Sequence, residues 1–281
     1  MKSQQDPQLS PEEELRAENN LLKLKLKLEY GMQESDTSNL PPHVENDWLK
    51  YIEAFEKQYQ DAKSVTVYEF IGKPPYKPLG ALIPEQIRPE LSRLLQVMEA
   101  HDVALDCICQ YDDATIYQFL TEELFPHDMD LIRIPGMTHH FIYEEFHPNH
   151  DHDIRRQAEQ FLRSLFRKEW REEIDGYALA RNITWSGKQF DRASMSAIIS
   201  TFQDAHRSLR LRKFAVRELT IDPALTFAEI TGFVSAYGKR DDGQGVRHAG
   251  PGTLHFVRDD EYWYIGEFSV PGLRSTSGKS L

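Results

Sequence analysis

The stretch Gly250–Gly272, GPGTLHFVRDDEYWYIGEFSVPG, constrains this chain more than any other. An alternating run, Thr253 to Val257, is followed by an acidic link and then by the aromatic run Tyr262 to Phe268. Two β-rich runs joined by so short a link read as an antiparallel hairpin. A hairpin alone is marginal in water and needs further strands or a helix to cover it. The preceding sequence offers both. Leu211–Ile221 and Thr226–Gly238 read as two long strands that join Gly252–Arg258 and Tyr262–Val270 in a meander. Before them, DRASMSAIISTFQDAHRSL starts at Asp191 as N-cap and aligns Met195, Ile198, Ile199, Phe202, His206 and Leu209 along one helix face. Earlier still, Asp153 to Trp170 predicts a helix burying Ile154, Ala158, Phe161, Leu162, Leu165 and Phe166.

The N-terminal half reads differently. Ser10-Pro11-Glu12-Glu13 is a helix start, and the helix runs to about Glu29. A linker, 31–42, leads to a helix with Val44, Trp48, Tyr51, Ile52, Phe55 and Tyr59 on one face. Ser64–Ile71 reads as a strand, Pro84–Ala100 as a helix and Val103–Cys109 as a short buried strand. A further helix follows Asp112 or Asp113. The expected organisation is an N-terminal helix and linker (1–41), a mainly helical domain (42–150), an α+β domain (151–273) and a disordered tail (274–281).

At 281 residues, 40% of them apolar, the chain can build two cores. A formal charge of −12 argues against general nucleic-acid binding, which needs a basic footprint. The two cysteines, Cys107 and Cys109, read as reduced thiols in a core. There is no apolar leader and no 18-residue apolar run, so a cytoplasmic protein away from membranes is expected.

His139–Asp153, HHFIYEEFHPNHDHD, holds five of the eleven histidines. Imidazole and carboxylate at close range suit zinc or iron, with His147, His150 and His152 as the ligands. The spacing matches no established metal motif, and a polar connector whose Asn149 or Asp151 caps the next helix is the simpler reading.

From Asp153 onward the order is long helix, short helical piece, strand and glycine turn, helix, then strand meander. With ITWSGKQFDRASMSAIISTF and GTLHFVRDDEYWYIGEF as its specific echoes, this order resembles the nuclear-transport-factor-2-like superfamily, also called SnoaL-like or cystatin-like. The resemblance implies a cone-shaped, curved antiparallel sheet wrapped around helices. It also implies that a pocket for a small apolar ligand or a surface for a partner is among the uses open to the domain. Isomerases, dehydratases and cyclases share the superfamily with non-catalytic modules, so fold does not choose between them.

Period-2 alternation then divides the sheet. One face is expected to carry Phe214, Val216, Glu218, Ala228, Ile230, Gly232, Val234, Thr253, His255, Val257, Trp263, Ile265 and Glu267. Trp185, Phe214, Val216, Ile230, Val234, Trp263 and Ile265 would wall a pocket. Glu267, His255 and Glu218 would be its acid–base groups, with His206 reaching from the helix. No cofactor is expected for such chemistry. The opposite face is expected to carry Leu219, Phe227, Phe233, Tyr237, Leu254, Phe256, Tyr262, Tyr264 and Phe268, an aromatic surface that must be covered, by a second copy in the favoured reading or by the N-terminal helical domain in the alternative. A ligand-binding or dimerising module leads, a cofactor-independent enzyme comes second and a metal-dependent protein third.

Overall fold

The computed structural model describes residues 10–33 and 39–273. The expected disordered tail and the first nine residues lie outside this range. The chain divides into two compact units, one through His147 and one from Pro148.

In the first unit, α1 (Pro11–Tyr30) opens with a reciprocal cap between Ser10 and Glu13 and stops at Gly31 in a left-handed conformation. It lies against α2 (Pro42–Gln60), where Asn19 donates to the Pro42 carbonyl and to Glu45, and Asn46 donates to Asn19. The segment expected to be a strand at Ser64–Ile71 splits in two. After β1 (Ser64–Thr66), the Thr66 hydroxyl caps the Glu69 N–H and starts α3 (Val67–Phe70). A local side-chain cap has overridden β-branched composition.

The unit continues with α4 (Pro84–Glu99), β2 (Val103–Asp106), α5 (Asp113–Phe119), β3 (Asp128–Asp130), β4 (His139–Ile142) and α6 (Tyr143–Phe146). β1 pairs antiparallel with β3, and β2 pairs parallel with β4. Phe70, Leu94, Met98, Tyr117, Phe119, Leu120 and Phe125 fill the core. The cysteines are not part of it. They sit in the loop after β2, where Cys107 is exposed and the Glu144 carboxylate accepts from the backbone of Ile108 and Cys109.

The second unit runs α7 (His150–Leu165), α8 (Glu172–Asp175), β5 (Leu179–Trp185), β6 (Lys188–Asp191), α9 (Arg192–Asp204), β7 (Ser208–Ile221), β8 (Phe227–Lys239), β9 (Gly245–Asp259) and β10 (Tyr262–Ser269). Its six strands lie in the order β6-β5-β10-β9-β8-β7. The β9–β10 hairpin is formed as the sequence predicts, with Asp259 opposite Tyr262. The sheet is mixed, however, because β5 runs parallel to β10. A strand followed by a helix and three more strands returns to β5 along its own direction, which corrects the all-antiparallel expectation.

Register shifts in β7 near Arg212 and Arg217, and in β10 near Gly266, add bulges that bend the strands. Gly232 on β8 is required by this bend: a Cβ there would stand 2.5 Å from the Ala215 carbonyl oxygen. Helices α7 and α9 fill the concave side. Phe161, Leu162, Leu165, Met195 and Ile199 form one cluster with Ile230, Val234, Leu254, Phe256, Trp263, Ile265 and Phe268. Polar ties lock the helix ends. Asp175 accepts from Ser164, Arg167 and the Arg171 N–H, while Gln203 donates to the Ser164 and Leu165 carbonyls and accepts from Trp170.

Candidate functional site

The side chains expected to wall a pocket lie together in the core. Trp185, Ile230, Val234, Trp263 and Ile265 are buried in one cluster, and Phe214 and Val216 pack against it. These side chains interlock with α7 and α9, so the inside of the cone is occupied by the protein's own core. Trp263 is fixed at both ends of its residue: its indole N–H points at His150 Nδ1 (3.2 Å), and its carbonyl accepts from Gln157 (2.6 Å).

The expected acid–base set is not assembled there. Ile230 pairs with Leu254 and Ala228 with Phe256, so even-numbered residues of β9 face the core. His255 therefore points to the convex face, beside Glu229 at 3.4 Å. A one-residue difference in strand register exchanges every side chain between faces. The bulge at Gly266 sends Phe268 inward and leaves Glu267 exposed, and Glu218, after the second β7 bulge, is exposed as well. Leu254, Phe256 and Phe268 accordingly move from the outer set to the core, and Thr253, His255, Val257 and Glu267 move outward.

Only His206 of the four lies inside, and its partner is another histidine. His206 is buried, its Nδ1 meets the Phe202 carbonyl at 2.9 Å and its Nε2 meets His248 Nε2 at 3.1 Å. Since a carbonyl can only accept, His206 donates from Nδ1, and a neutral His206 then accepts at Nε2 from His248. Burial, then the neighbouring His206 and Arg240, depress the His248 pKa below its ordinary value. Sequence reading found His206 through its helix face. His248 sits 42 residues away on β9, and only the pairing of β7, β8 and β9 brings it there.

The histidine-rich segment does not gather into a metal site. His147 meets Glu123 at 2.9 Å and stacks on Tyr143, His150 receives the Trp263 indole, and His152 lies 3.7 Å from Asp153. Among the described residues no group of three or more His, Cys, Asp or Glu side chains could hold a metal ion. Asn149 caps α7 by accepting from the His152 N–H, as the connector reading expects.

The convex face carries a set of exposed large apolar residues. Phe227 (43% exposed), Phe233 (46%), Tyr237 (39%), Val257 (38%) and Tyr262 (66%) stand on three neighbouring strands. Their alternate residues point to the core. On this face His255 lies in register between Glu229 on β8 and Glu267 on β10.

Neither a protein-family model nor a curated protein matches this sequence. Solved structures do resemble it, over less than half of the chain. A hexachlorocyclohexane dehydrochlorinase from Novosphingobium barchaimii is 11% identical over 42% of this chain and 82% of its own (TM-score 0.34). A protein of the nuclear-transport-factor-2-like family from Streptomyces avermitilis is 10% identical over 42% and 92% (TM-score 0.33). A protein of unknown function with a cystatin-like fold, from Nostoc punctiforme, is 12% identical over 43% and 88% (TM-score 0.33). The likeness is one of fold. No helix among the described residues is long and apolar enough to cross a membrane.

Proposed function

We propose that the C-terminal unit is a self-association module that pairs two copies through the convex face of its sheet. The observation that carries this reading is the group of five large apolar side chains exposed on β8, β9 and β10. An uncovered sheet face ordinarily alternates polar residues outward. Here Phe227, Val257 and Tyr262 stand near one end of the face and Phe233 and Tyr237 nearer the other, with Glu229, Thr231, Thr253 and His255 between them. Large apolar side chains of about 150–250 Å² each left in water favour burial against a partner.

The charges around the patch suit a twofold arrangement. Arg210, Lys239 and Arg247 are exposed together at one corner, since Arg210 and Arg247 both flank Tyr237 in register. Asp259, Asp260 and Glu261 are exposed at the opposite corner, at the β9–β10 turn. A twofold axis running diagonally between them lays the basic corner of one copy over the acidic corner of the other. Glu218, His255 and Glu267 face away from the packed cone, so self-association draws on the convex face and not on an enclosed pocket.

Sedimentation velocity on the whole protein tests the proposal. The wild type should sediment as a dimer, and the double variant Phe233→Lys, Tyr237→Lys should be a monomer with unchanged circular dichroism. A wild type that stays monomeric at high concentration would overturn it.

A further inference from the structure

Beside β5, next to Val257 and Tyr264, the second unit has a groove of about 450 Å³ that the fold does not need. Three arginines from three separate elements line it: Arg181 on β5, Arg192 at the start of α9 and Arg258 near the end of β9. Among the described residues none of the three is ion-paired. Elsewhere in the unit Arg155, Arg163, Arg167 and Arg171 all have carboxylate partners.

Unpaired arginines spread over an open surface are ordinary, because water separates them. Three turned to one concavity repel one another, and this chain has acidic residues in excess with which to neutralise them. Asp259 is the one acid on the groove wall. It leaves a net charge of about +2 on the formal count of these side chains.

One of the arginines is held in place and another lacks a partner. Arg192 donates from Nε and Nη2 to the Leu179 carbonyl, at 3.0 and 2.7 Å, and its guanidinium lies 5.8 Å from the centre of the Tyr177 ring. Arg258 has its Nε buried with no hydrogen-bond partner. A buried donor left unmatched is costly unless something supplies the acceptor. Tyr177 and Tyr264 line the same groove and offer flat apolar surface beside the charges.

We propose that this groove binds a phosphate monoester carrying a flat ring. The dianion offsets the net charge of the wall, phosphate oxygens match guanidinium forks, and the ring has tyrosine surface to lie against. A carboxylate, with one charge, leaves the wall half neutralised.

Isothermal titration of the full-length protein with phenyl phosphate, inorganic phosphate and benzoate tests this. Phenyl phosphate should bind with Kd below about 1 mM at low salt, and the affinity should fall as salt is added. Benzoate and inorganic phosphate should each bind about tenfold more weakly, the first for lack of charge and the second for lack of a ring. Arg181→Ala should weaken phenyl phosphate by about tenfold with an unchanged unfolding temperature, since Arg181 is exposed and makes no contact the fold uses. Arg258→Gln should act in the same direction.

Absence of phenyl phosphate binding at about 10 mM, or full-strength binding by Arg181→Ala, would overturn the proposal. Benzoate binding as tightly as phenyl phosphate would overturn the choice of a dianion. Val257 and Asp259 border both the groove and the proposed association face. The decisive titration is therefore on Phe233→Lys, Tyr237→Lys, which keeps every groove residue and frees the groove from a partner, and its result stands whether or not the wild type self-associates.

Discussion

The two faces of the β7–β10 sheet are written in the same residues at alternate positions, and they have opposite fates. Phe256 and its neighbour Val257 differ by one step along β9. Phe256 is fully buried between β8 and β10, while Val257 is 38% exposed. The concave face draws its partners from within the unit, because α7 and α9 bring Phe161, Leu165, Met195 and Ile199 onto it. The convex face has comparable apolar residues and no helix of its own. Hydrophobic content alone does not distinguish a core from a docking surface. What distinguishes them is whether the chain supplies the second layer.

Truncation at the two faces is the sharpest way to break that comparison. Phe256→Ala should lower the unfolding free energy by about 3–5 kcal/mol, since it removes a fully buried ring from a close-packed cluster. Phe233→Ser should change the stability of the monomeric unit by less than about 0.5 kcal/mol. Chemical denaturation of the two variants, compared at a concentration where the protein is monomeric, measures the difference. A cost for Phe233 approaching that for Phe256 would mean the convex face is already covered within one chain.

The next effect in size belongs to the polar ties of the concave layer. Asp175 is buried, with Ser164, Arg167 and the Arg171 backbone all donating to it. Burial acts to raise its pKa, but those donors and the Arg167 charge together hold it below the ordinary aspartate value. A depressed carboxylate pKa adds stability above the unfolded value, and this is lost as pH falls through the folded one. Asp175→Ala should therefore cost about 1–3 kcal/mol at neutral pH, and the cost should shrink in acid. A deficit of equal size at pH 7 and at low pH would show that the carboxylate charge is not involved.

His248 brings a second pH dependence, at a higher pH. Its folded pKa lies below the ordinary 6.5, so the unfolded chain binds more protons near that value. Stability is full above about pH 6.5 and falls as pH drops through the window below it, before the carboxylates titrate. His248→Gln should remove this part of the curve. The shape of stability between pH 7 and pH 5, compared in wild type and variant, decides the point.

Much of the second unit was legible in its sequence, and the failures have one physical source. Helices α7 and α9 follow from apolar spacing together with caps at Asn149 and Asp191, which are local properties. The β9–β10 hairpin follows from two β-rich runs and a short link. Register between strands is not local. Nothing in Thr253–Val257 says that Leu254 and Phe256, rather than Thr253 and His255, lie beside Ile230 and Ala228. The pairing with β8 decides it. The bulge at Gly266 reverses the phase once more, carrying Phe268 inward. Candidate residues chosen by alternation therefore fared according to strand. Trp263 and Ile265 lie on the core face that alternation assigns them, His255 and Glu267 lie on the convex face instead, and the His206–His248 contact has no signal in either segment alone. The α3 turn after Thr66 was missed for a different reason: one hydroxyl cap outweighed the strand composition around it.

The smallest expected effect is at the convex pair itself. His255 and Glu229 face each other in register at 3.4 Å, and both are partly open to water. Exposed pairs of this kind contribute about 0–1 kcal/mol, because the attraction is screened and the side chains lose freedom in forming it. His255→Ala should leave monomer stability within about 0.5 kcal/mol of wild type. In the self-association reading the same pair lies among Phe227, Thr231 and Thr253 on the covered face, where water is displaced and an unmatched Glu229 becomes costly. His255→Ala should then weaken the dimer more than it weakens the monomer, and Glu229→Gln added to it should restore part of the loss. Equal, negligible effects on both equilibria would place His255 and Glu229 outside the contact. The interface would then have to lie nearer the Phe233 and Tyr237 end of the sheet.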